Sequence, residues 1–518
     1  MSYKFIVLLF LSSCCFANSF PPVIDLNNLN GNNGFVINGV NSEDRSGNSV
    51  SQAGDINGDG LDDIIIGAHW ADPSGIDKAG SSYVIYGKST SFSSSLDLAT
   101  LDGNNGFVIN GINEDDLSGY SVSQAGDING DGLDDIIIGA FATDIDTNSD
   151  AGSSYVVFGN SSGFSSSFDL ATLDGNNGFV INGINENDNS GRSVSQAGDI
   201  NGDGFDDLII GAIWPGNVGI SYVVYGNNTG FSSSLDLATL DGNIGFVING
   251  VNEVDYTGWS VSQAGDINGD GLDDIIIGAP LADPGGNDRA GSSYVVFGNS
   301  SGFSSSFDLA TLDGNNGFVI NGVGVKDYSG FSVSQSGDVN GDGLHDLIIG
   351  AYGSSPINGF RPGSSYVVFG KNTGFSNTLE LADLDGNNGF VINGIINEEN
   401  FGASVSQAGD VNGDGIDDII IGAYLGFNGG RGYVVFGKNT GFSNSLDLTT
   451  LDGSNGFIIN GIKTNDRTGN SVSQAGDLNG DGLDDIIIGA HWAGSKAGSS
   501  YVVFGNDIIF SNNFDNSD

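Results

Sequence analysis

Four short apolar runs, separated by turn-forming residues, recur along almost the whole chain. In the second of these units the runs cover residues 106–111, 121–127, 135–140 and 154–159. Each run has the length of a strand, and the run at 135–140, with three consecutive isoleucines, is typical of a strand that is covered on both faces. The pattern therefore predicts four strands in each unit.

The unit recurs seven times at a nearly constant spacing of 72 or 67 residues, marked by the stretch DINGDGLDDIIIGA at residues 55–68 and its six variants. Such a period is typical of one supersecondary unit that packs against its own copies. Seven units of four strands predict an all-β fold, a seven-bladed β-propeller of four-stranded blades, in which a small core lies between each pair of sheets. An open solenoid is the alternative, but it needs atypical capping repeats, and the sequence has none.

The two ends of the chain predict how the ring closes. The first run, residues 34–39, is of the GFVING kind, and the last, residues 501–505, is of the YVVFG kind. If a blade begins at the SVSQ run, the last blade lacks its outer strand, and the N-terminal run can supply it. We therefore expect the propeller to occupy residues 18–505 and residues 506–518 to form a tail.

Each of the seven copies carries oxygen-bearing side chains at positions 1, 3, 5 and 9, which are Asp55, Asn57, Asp59 and Asp63 in the first copy. The backbone carbonyl of Leu61 at position 7 can join them, and the glycine at position 6 supplies the positive φ that a tight loop needs. Three carboxylates with neutral oxygens suit calcium better than zinc or copper. A surface turn rich in Asn, Asp and Gly is the alternative for one copy, but seven filled copies favour calcium.

The loop differs from an EF-hand, which continues into a helix with Glu at position 12, because here an apolar run follows and predicts a strand. The loop is therefore expected to join two strands. The predicted metal ligands are Asp55, Asn57, Asp59, Leu61 and Asp63; Asp127, Asn129, Asp131, Leu133 and Asp135; Asp199, Asn201, Asp203, Phe205 and Asp207; Asp266, Asn268, Asp270, Leu272 and Asp274; Asp338, Asn340, Asp342, Leu344 and Asp346; Asp410, Asn412, Asp414, Ile416 and Asp418; and Asp477, Asn479, Asp481, Leu483 and Asp485.

Residues 1–17 have one charge at Lys4, an apolar run and small residues up to Ala17, which predicts a secretory signal peptide. The run is too short to span a bilayer. Both cysteines, Cys14 and Cys15, lie within it, so the exported chain would contain none. The alternative is a bacterial lipobox at residues 11–14, with a lipid anchor on Cys14. Either way, the protein is expected to be secreted or held at the cell surface, with no transmembrane segment.

The formal charge of −50, with 14 basic and 64 acidic side chains, excludes nucleic acid as a plausible partner, since such binders carry basic clusters. Calcium in seven loops would relieve part of the self-repulsion. The three histidines, His69, His345 and His491, stand in different repeats. The sequence has no HExxH motif. We therefore expect a protein that is not an enzyme.

The segments between Gly-Ala and the YVVFG run vary from 9 to 14 residues, while the rest of the unit does not. Loops that vary on a constant scaffold are typical binding surfaces, and their aromatic side chains can stack on sugars or anchor a protein. The alternative is that these side chains only cover the ends of the sheets. The candidate ligand-binding residues are Trp70, Phe141, Trp214, Tyr352, Tyr424 and Trp492. N-glycosylation sequons, relevant only in a eukaryote, occur at Asn160, Asn227 and Asn299.

The repeat resembles the FG-GAP repeat, the calcium-binding propeller unit of integrin α chains, which also occurs in bacterial exported proteins and in a phospholipase D that cleaves lipid anchors. The resemblance rests on Gly119 in SGYSV, on the loop from Asp127 to Asp135, and on the following Gly139 and Ala140. It implies that calcium loops lie on one face of the propeller. It also implies that ligand, or an integrin β chain, docks on the opposite face.

Two departures from the family pattern bear on partners. Strict FG occurs once, at Phe401 and Gly402, and strict GAP once, at residues 278–280. Small hydroxyl residues replace the Phe in the other six units: Ser46, Ser118, Ser190, Thr257, Ser329 and Thr468. Since aromatic residues around the integrin hub grip the β chain, this pattern argues against integrin β-chain pairing.

The expected function is that of an exported calcium-binding propeller acting as an integrin-α-like adhesion or ligand-binding module. Its partner would be an extracellular protein or glycan. A carbohydrate-binding, lectin-like propeller and a structural surface protein are the alternatives.

Overall fold

The computed structural model describes residues 20–214, 218–356, 359–426 and 429–506. The predicted signal peptide, Cys14 and residues 507–518 of the predicted tail lie outside this range. The described residues form seven sheets, and the first strand of each sheet contacts that of the next, around to contacts between Ser49–Gly54 and Val472–Gly476. The predicted all-β, seven-bladed propeller is confirmed.

Within each blade we name the strands inner, second, third and fourth, from the hub outward. The inner strands are Ser49–Gly54, Ser121–Gly126, Ser193–Gly198, Ser260–Gly265, Ser332–Gly337, Phe401–Gly409 and Val472–Gly476. The second strands are Asp63–Ala68, Asp135–Ala140, Asp207–Ala212, Asp274–Ala279, Asp346–Ala351, Asp418–Ala423 and Asp485–Ala490. The third strands are Ser81–Ile85, Ser153–Val157, Ile220–Val224, Ser292–Val296, Ser364–Val368, Arg431–Val435 and Ser499–Val503. The fourth strands are Gly106–Asn110, Gly178–Asn182, Gly245–Asn249, Gly317–Asn321, Gly389–Asn393, Gly456–Asn460 and Gly34–Asn38.

Each sheet has one more strand than the sequence predicted. A three-residue edge strand pairs in parallel with the fourth strand, as Ser167–Asp169 does with Gly106–Asn110. It comes from the connection between the third and fourth strands of the next blade. Three residues are too few to show a periodic pattern in the sequence. The edge strands of blades one to seven are Ser167–Asp169, Ser234–Asp236, Ser306–Asp308, Thr378–Glu380, Ser445–Asp447, Val23–Asp25 and Ser95–Asp97.

Single helical turns complete the described structure. Seven 3₁₀ turns follow the edge strands: Leu26–Asn28, Leu98–Thr100, Leu170–Thr172, Leu237–Thr239, Leu309–Thr311, Leu381–Asp383 and Leu448–Thr450. Others are Pro73–Gly75, Pro284–Gly286 and the α-helical turn Ala493–Lys496. No helix in the described ranges is long and apolar enough to cross a membrane.

The N-terminal segment belongs to the last two blades. Gly34–Asn38 pairs antiparallel with Ser499–Val503 and forms the fourth strand of blade seven. Val23–Asp25 pairs in parallel with Gly456–Asn460 and forms the edge strand of blade six. Just before it, Phe20 stacks on Phe457, with ring centroids 4.4 Å apart. The N-terminal segment therefore completes the last two blades and closes the ring.

The hydrophobic core lies between blades and is divided by the second strands. In blade one, Ile65 packs toward blade two with Val122, whereas Ile64 packs toward blade seven with Val502. All three isoleucines of this strand are fully buried. Because alternate side chains of a strand point to opposite faces, an unbroken apolar run is needed here.

The glycines of the repeat meet across each blade boundary. A Cβ on Gly67 of blade one would lie 2.0 Å from the carbonyl oxygen of Gly119 in blade two. Gly139 meets Gly191 in the same way. The boundary therefore requires glycine at the second-strand position, since no Cβ fits there.

Candidate functional sites

Seven equivalent loops join the inner to the second strands on one side of the ring, which we call the acidic face. In the first loop, Oδ1 of Asp55 accepts hydrogen bonds from the backbone amides of Gly58 and Asp59, at 2.8 and 2.9 Å. Its Oδ2 accepts from the amide of Gly60 at 2.8 Å. Gly60 has a φ of 87°, as the loop pattern predicted. The first aspartate thus holds the loop in its turn.

The aspartate at position 9 is the buried member of each predicted ligand set. Asp63 is fully buried and accepts a hydrogen bond from the amide of Gly87 at 2.8 Å. Burial raises the pKa of Asp63 to about 8, and the charges of Asp59 and Asp55 add to the effect. Burial likewise raises the pKa of Asp274 to about 8. The three carboxylates of a loop therefore act on one another.

The loop carboxylates take part in no ion pair among the described residues. The ion pairs that the structure shows, such as Lys78–Asp115 and Lys496–Glu43, lie on the opposite side of the propeller. A group of carboxylates with one buried member fits a hard divalent cation as the missing positive charge. Among described residues, however, the only trio of acidic side chains with oxygens within 4.8 Å of one another is Asp77, Glu114 and Asp115, which is exposed. The loop carboxylates stand farther apart, so cation binding would have to draw them together.

Position 8 of the loop has a role that the sequence analysis missed. Oδ2 of Asp134 in blade two accepts a hydrogen bond from the backbone amide of Asp55 in blade one, at 2.9 Å. His345 replaces the aspartate once, and its Nδ1 accepts from the amide of Asp266 at 3.0 Å. The other acceptors are Asp206, Asp273, Asp417, Asp484 and Asp62. These bonds form a ring that ties each loop to the next blade.

Small polar side chains line the hub. The serine just before the valine of the SVSQ run in each blade accepts a hydrogen bond from a valine amide of the next blade, as Ser49 does from Val122 at 3.1 Å. The following Ser and Gln residues, such as Ser51 and Gln52, surround an axial cavity of about 120 Å³. The inner strands are thus joined by polar contacts where large side chains would not fit.

The candidate ligand-binding residues all lie on the side opposite the acidic face. We call this the loop face; it consists of the segments that join second to third strands and fourth strands to the next inner strand. Trp214 is 40% exposed and meets Tyr256 edge-on at 4.7 Å. The others are half-buried: Trp70, Phe141, Tyr352, Tyr424 and Trp492. The structure thus brings them to one surface and leaves Trp214 the most accessible.

Sequence reasoning missed most of the partners of these aromatic residues. Phe141 packs edge-on against Tyr120 at 4.6 Å, and Tyr352 packs against Phe331 at 4.5 Å. The guanidinium of Arg192 lies 4.2 Å from the ring centre of Trp259. Tyr120, Arg192, Trp259 and Phe331 occupy one position, just after the glycine of the SGYSV-type motif, which is the signal that could have found them.

A second repeated position shapes the loop face through its backbone. The residue two before that glycine has a positive φ, between 54° and 60°, in all seven blades. Such a conformation is rare for residues with a side chain and persists only where the surroundings hold it. The residues are Arg45, Leu117, Asn189, Tyr256, Tyr328, Asn400 and Arg467. These side chains are therefore presented in the same way around the ring.

The FG position lies in the core instead of at the hub. Phe401 is fully buried and meets Tyr433 edge-on at 5.2 Å. Ser46 and Thr257, at the same position in other blades, are also buried. Because this position is buried, its side chain is not available to a docking partner, and the hydroxyl residues there give no reason against integrin β-chain pairing.

The sequon asparagines lie on the acidic face, just after third strands. Asn160 and Asn299 are exposed and Asn227 is half-exposed. The side-chain amide of Asn299 donates to the carbonyl of Gly302 at 2.9 Å. Glycosylation at these positions stays a prediction.

Comparison with known families matches the repeat in every blade. The FG-GAP repeat model matches residues 46–85, 118–157, 190–224, 257–296, 329–368, 401–435 and 468–503, about half of the chain. The chain belongs to the FG-GAP repeat family. Each matched segment of this FG-GAP protein begins one residue before the glycine of the SGYSV-type motif. It continues through the acidic loop and ends in the third strand.

Similar curated proteins are much longer than this chain. Phosphatidylinositol-glycan-specific phospholipase D of Dictyostelium discoideum is 30% identical over 336 residues, which are 61% of this chain and 33% of the relative. Integrin alpha-5 of Xenopus laevis is 30% identical over 244 residues, 45% of this chain and 20% of the relative. Integrin alpha pat-2 of Caenorhabditis elegans is 29% identical over 260 residues, 46% and 18% respectively. The likeness to both groups leaves enzymatic status open.

Proposed function

We propose that this FG-GAP protein is an exported, calcium-binding propeller that binds an extracellular protein or glycan through its loop face, as an integrin-α-like adhesion module. The observation that carries the proposal is the separation of the two faces. Seven near-identical acidic loops lie on one face, while aromatic and arginine side chains that differ from blade to blade lie on the other. Constant loops suit a shared structural ion, and variable ones suit a specific ligand.

Calcium is the proposed ion of the acidic loops. The donor set of carboxylate, amide and carbonyl oxygens fits it, and the buried Asp63 lacks a basic partner among the described residues. Filling the loops would offset carboxylate repulsion in a chain of formal charge −50. Relatives named as integrins and as a phospholipase D that acts on phosphatidylinositol-glycan support a place outside the cell or at its surface.

A binding screen tests the ligand-binding role. Residues 18–518 would be screened against arrayed glycans and extracellular-matrix proteins, with calcium and again with chelator. A hit should be lost in Trp214→Ala and kept in Ile244→Ala, a matched control because Ile244 is 41% exposed and lies on the acidic face. A glycan-only hit would favour the lectin-like alternative. No hit under either condition would contradict the adhesion role and favour a structural surface protein.

A further inference from the structure

The arginines of this acidic protein are all on one side of the propeller. The chain contains six, and each lies in a loop-face segment or at the loop-face end of a third strand: Arg45, Arg192, Arg289, Arg361, Arg431 and Arg467. Such a distribution places fixed positive charge opposite the acidic face. The loop face is therefore the side on which a carboxylate would find guanidinium partners.

Two of these arginines form matching pairs with tryptophan in neighbouring blades. The guanidinium carbon of Arg45 lies 3.2 Å from the ring centre of Trp70 in blade one. That of Arg467 lies 3.6 Å from the ring centre of Trp492 in blade seven. Both arginines stand two residues before the glycine of the SGYSV-type motif, where the other five blades have no arginine. The first and last blades thus carry an equivalent pair side by side.

A histidine precedes each tryptophan and brings the two pairs into one cluster. His69 and His491 are 4% and 5% exposed, and Nδ1 of each has no hydrogen-bond partner. Burial lowers the pKa of both imidazoles to about 3, and Arg45 acts on both of them. The charge of Arg467 also lowers the pKa of Arg45. The two arginines and the two histidines are therefore close enough to interact electrostatically.

The cluster has hydrogen-bond donors without acceptors. Nε of Arg45 and Nε1 of Trp492 are buried and unpaired. The charge of Glu43 acts on Arg45, but the Glu43 carboxylate is paired with Nζ of Lys496 at 3.0 Å. No ion pair found among the described residues includes Arg45 or Arg467. Since neither arginine has an ion-pair partner among the described residues, a carboxylate from outside the chain can serve as the counter-ion of both.

We propose that Arg45 and Arg467 bind carboxylates of an acidic polysaccharide at the boundary between blades seven and one. This inference rests on the proposed ligand-binding role of the loop face and names its ligand class. The planar guanidinium binds a carboxylate through two parallel hydrogen bonds. Two equivalent pairs on adjacent blades suit a ligand with evenly repeated charges, and the half-exposed rings of Trp70 and Trp492 can lie against sugar rings.

Titration calorimetry with a galacturonate trisaccharide tests this site on residues 18–518 in calcium. Arg45→Gln and Arg467→Gln should each weaken binding about tenfold, the loss of roughly 1.4 kcal/mol. Arg289→Gln is the matched control, because it removes the same charge from an exposed loop-face arginine 3.8 Å from Asp288. It should bind like the unchanged protein. A neutral galactose trisaccharide should not bind, and melting curves would verify that each variant is folded.

The possible results separate this inference from the proposed function. No binding by the unchanged protein, or equal weakening in Arg289→Gln, would overturn the site. A glutamate trimer that binds as tightly and depends on the same arginines would overturn the polysaccharide assignment in favour of an acidic peptide. A ligand from the screen that still binds the Arg45→Gln, Arg467→Gln double variant would leave the adhesion role standing and refute only this site.

Discussion

Oδ2 of Asp62 in the first acidic loop accepts a hydrogen bond from the backbone amide of Asp477 in the last loop, at 2.8 Å, although the two residues are 415 positions apart. The same bond recurs between the other blades, so this one closes the ring. It also shows that one loop has two functions. Positions 1, 3, 5 and 9 form the candidate cation site, while position 8 reaches to the neighbouring blade.

The closing bond predicts a stability loss in Asp62→Ala. The change leaves the amide of Asp477 and the side-chain amide of Gln52, 2.9 Å from Oδ1, without their acceptor. The free energy of unfolding should fall by about 1 to 3 kcal/mol. Chemical denaturation in calcium measures it, with the exposed Glu114→Ala as control. Equal stability of the two variants would show that the bond contributes nothing.

Phe20 should be as important to the fold as the equivalent phenylalanine inside the chain. It is 3% exposed and stacks on Phe457 as Phe92 stacks on Phe35, at 4.4 and 4.5 Å. Phe20→Ala and Phe92→Ala should each cost about 3 to 5 kcal/mol of unfolding free energy. If Phe92→Ala destabilises and Phe20→Ala does not, the N-terminal segment is not docked in solution.

Gly67→Ala should destabilise the propeller at a blade boundary. The new Cβ would lie 2.0 Å from the carbonyl oxygen of Gly119, a backbone atom that cannot move aside without shifting a strand. We expect a cost of about 1 to 3 kcal/mol or more. Gly432→Ala is the control, since its nearest neighbour would be a side-chain carbon at 3.4 Å. A Gly67→Ala melting temperature equal to that of the control would contradict the boundary argument.

The two buried histidines predict a pH dependence. Burial lowers the folded-state pKa of His69 and His491 to about 3, whereas unfolded histidine titrates near about 6.5. Between these values only the unfolded chain takes up the protons, so stability falls as pH drops from about 6.5 toward 3. The unfolding free energy of the unchanged protein minus that of the His69→Gln, His491→Gln double variant should decrease as the pH is lowered from 7.5 to 4.5. A constant difference would rule out the buried neutral state.

Calcium should raise the melting temperature, and chelation should lower it, because an ion that binds only the folded state stabilises that state. Titration should show sites in the range of about 0.1 to 1 mM. Asp63→Asn should remove one bound ion, whereas Asp62→Asn, a change at the adjacent position, should not. The same number of bound ions in both variants would contradict the assignment of position 9 as a ligand.

Local patterns in the sequence were enough to identify four of the five strands in each blade of this fold. The isoleucine run at 64–66 predicted a strand covered on both faces, and the described structure buries it between two blades. The edge strand at Ser167–Asp169 was missed because three residues show no periodicity, and it exists only through pairing with the preceding blade. The role of position 8 was missed for the same reason, since its partner lies in another repeat.

The sequence by itself determined the repeat, the number of blades, four strands of each blade and the seven sets of candidate ligands, because each of these depends on residues close together along the chain. The tertiary structure alone decided which groups from distant repeats meet. It placed Asp62 against Asp477 and buried the FG position away from the hub. It also gathered Arg45, Arg467 and two histidines at one boundary. Closure of a ring sets those distances, and no local pattern records them.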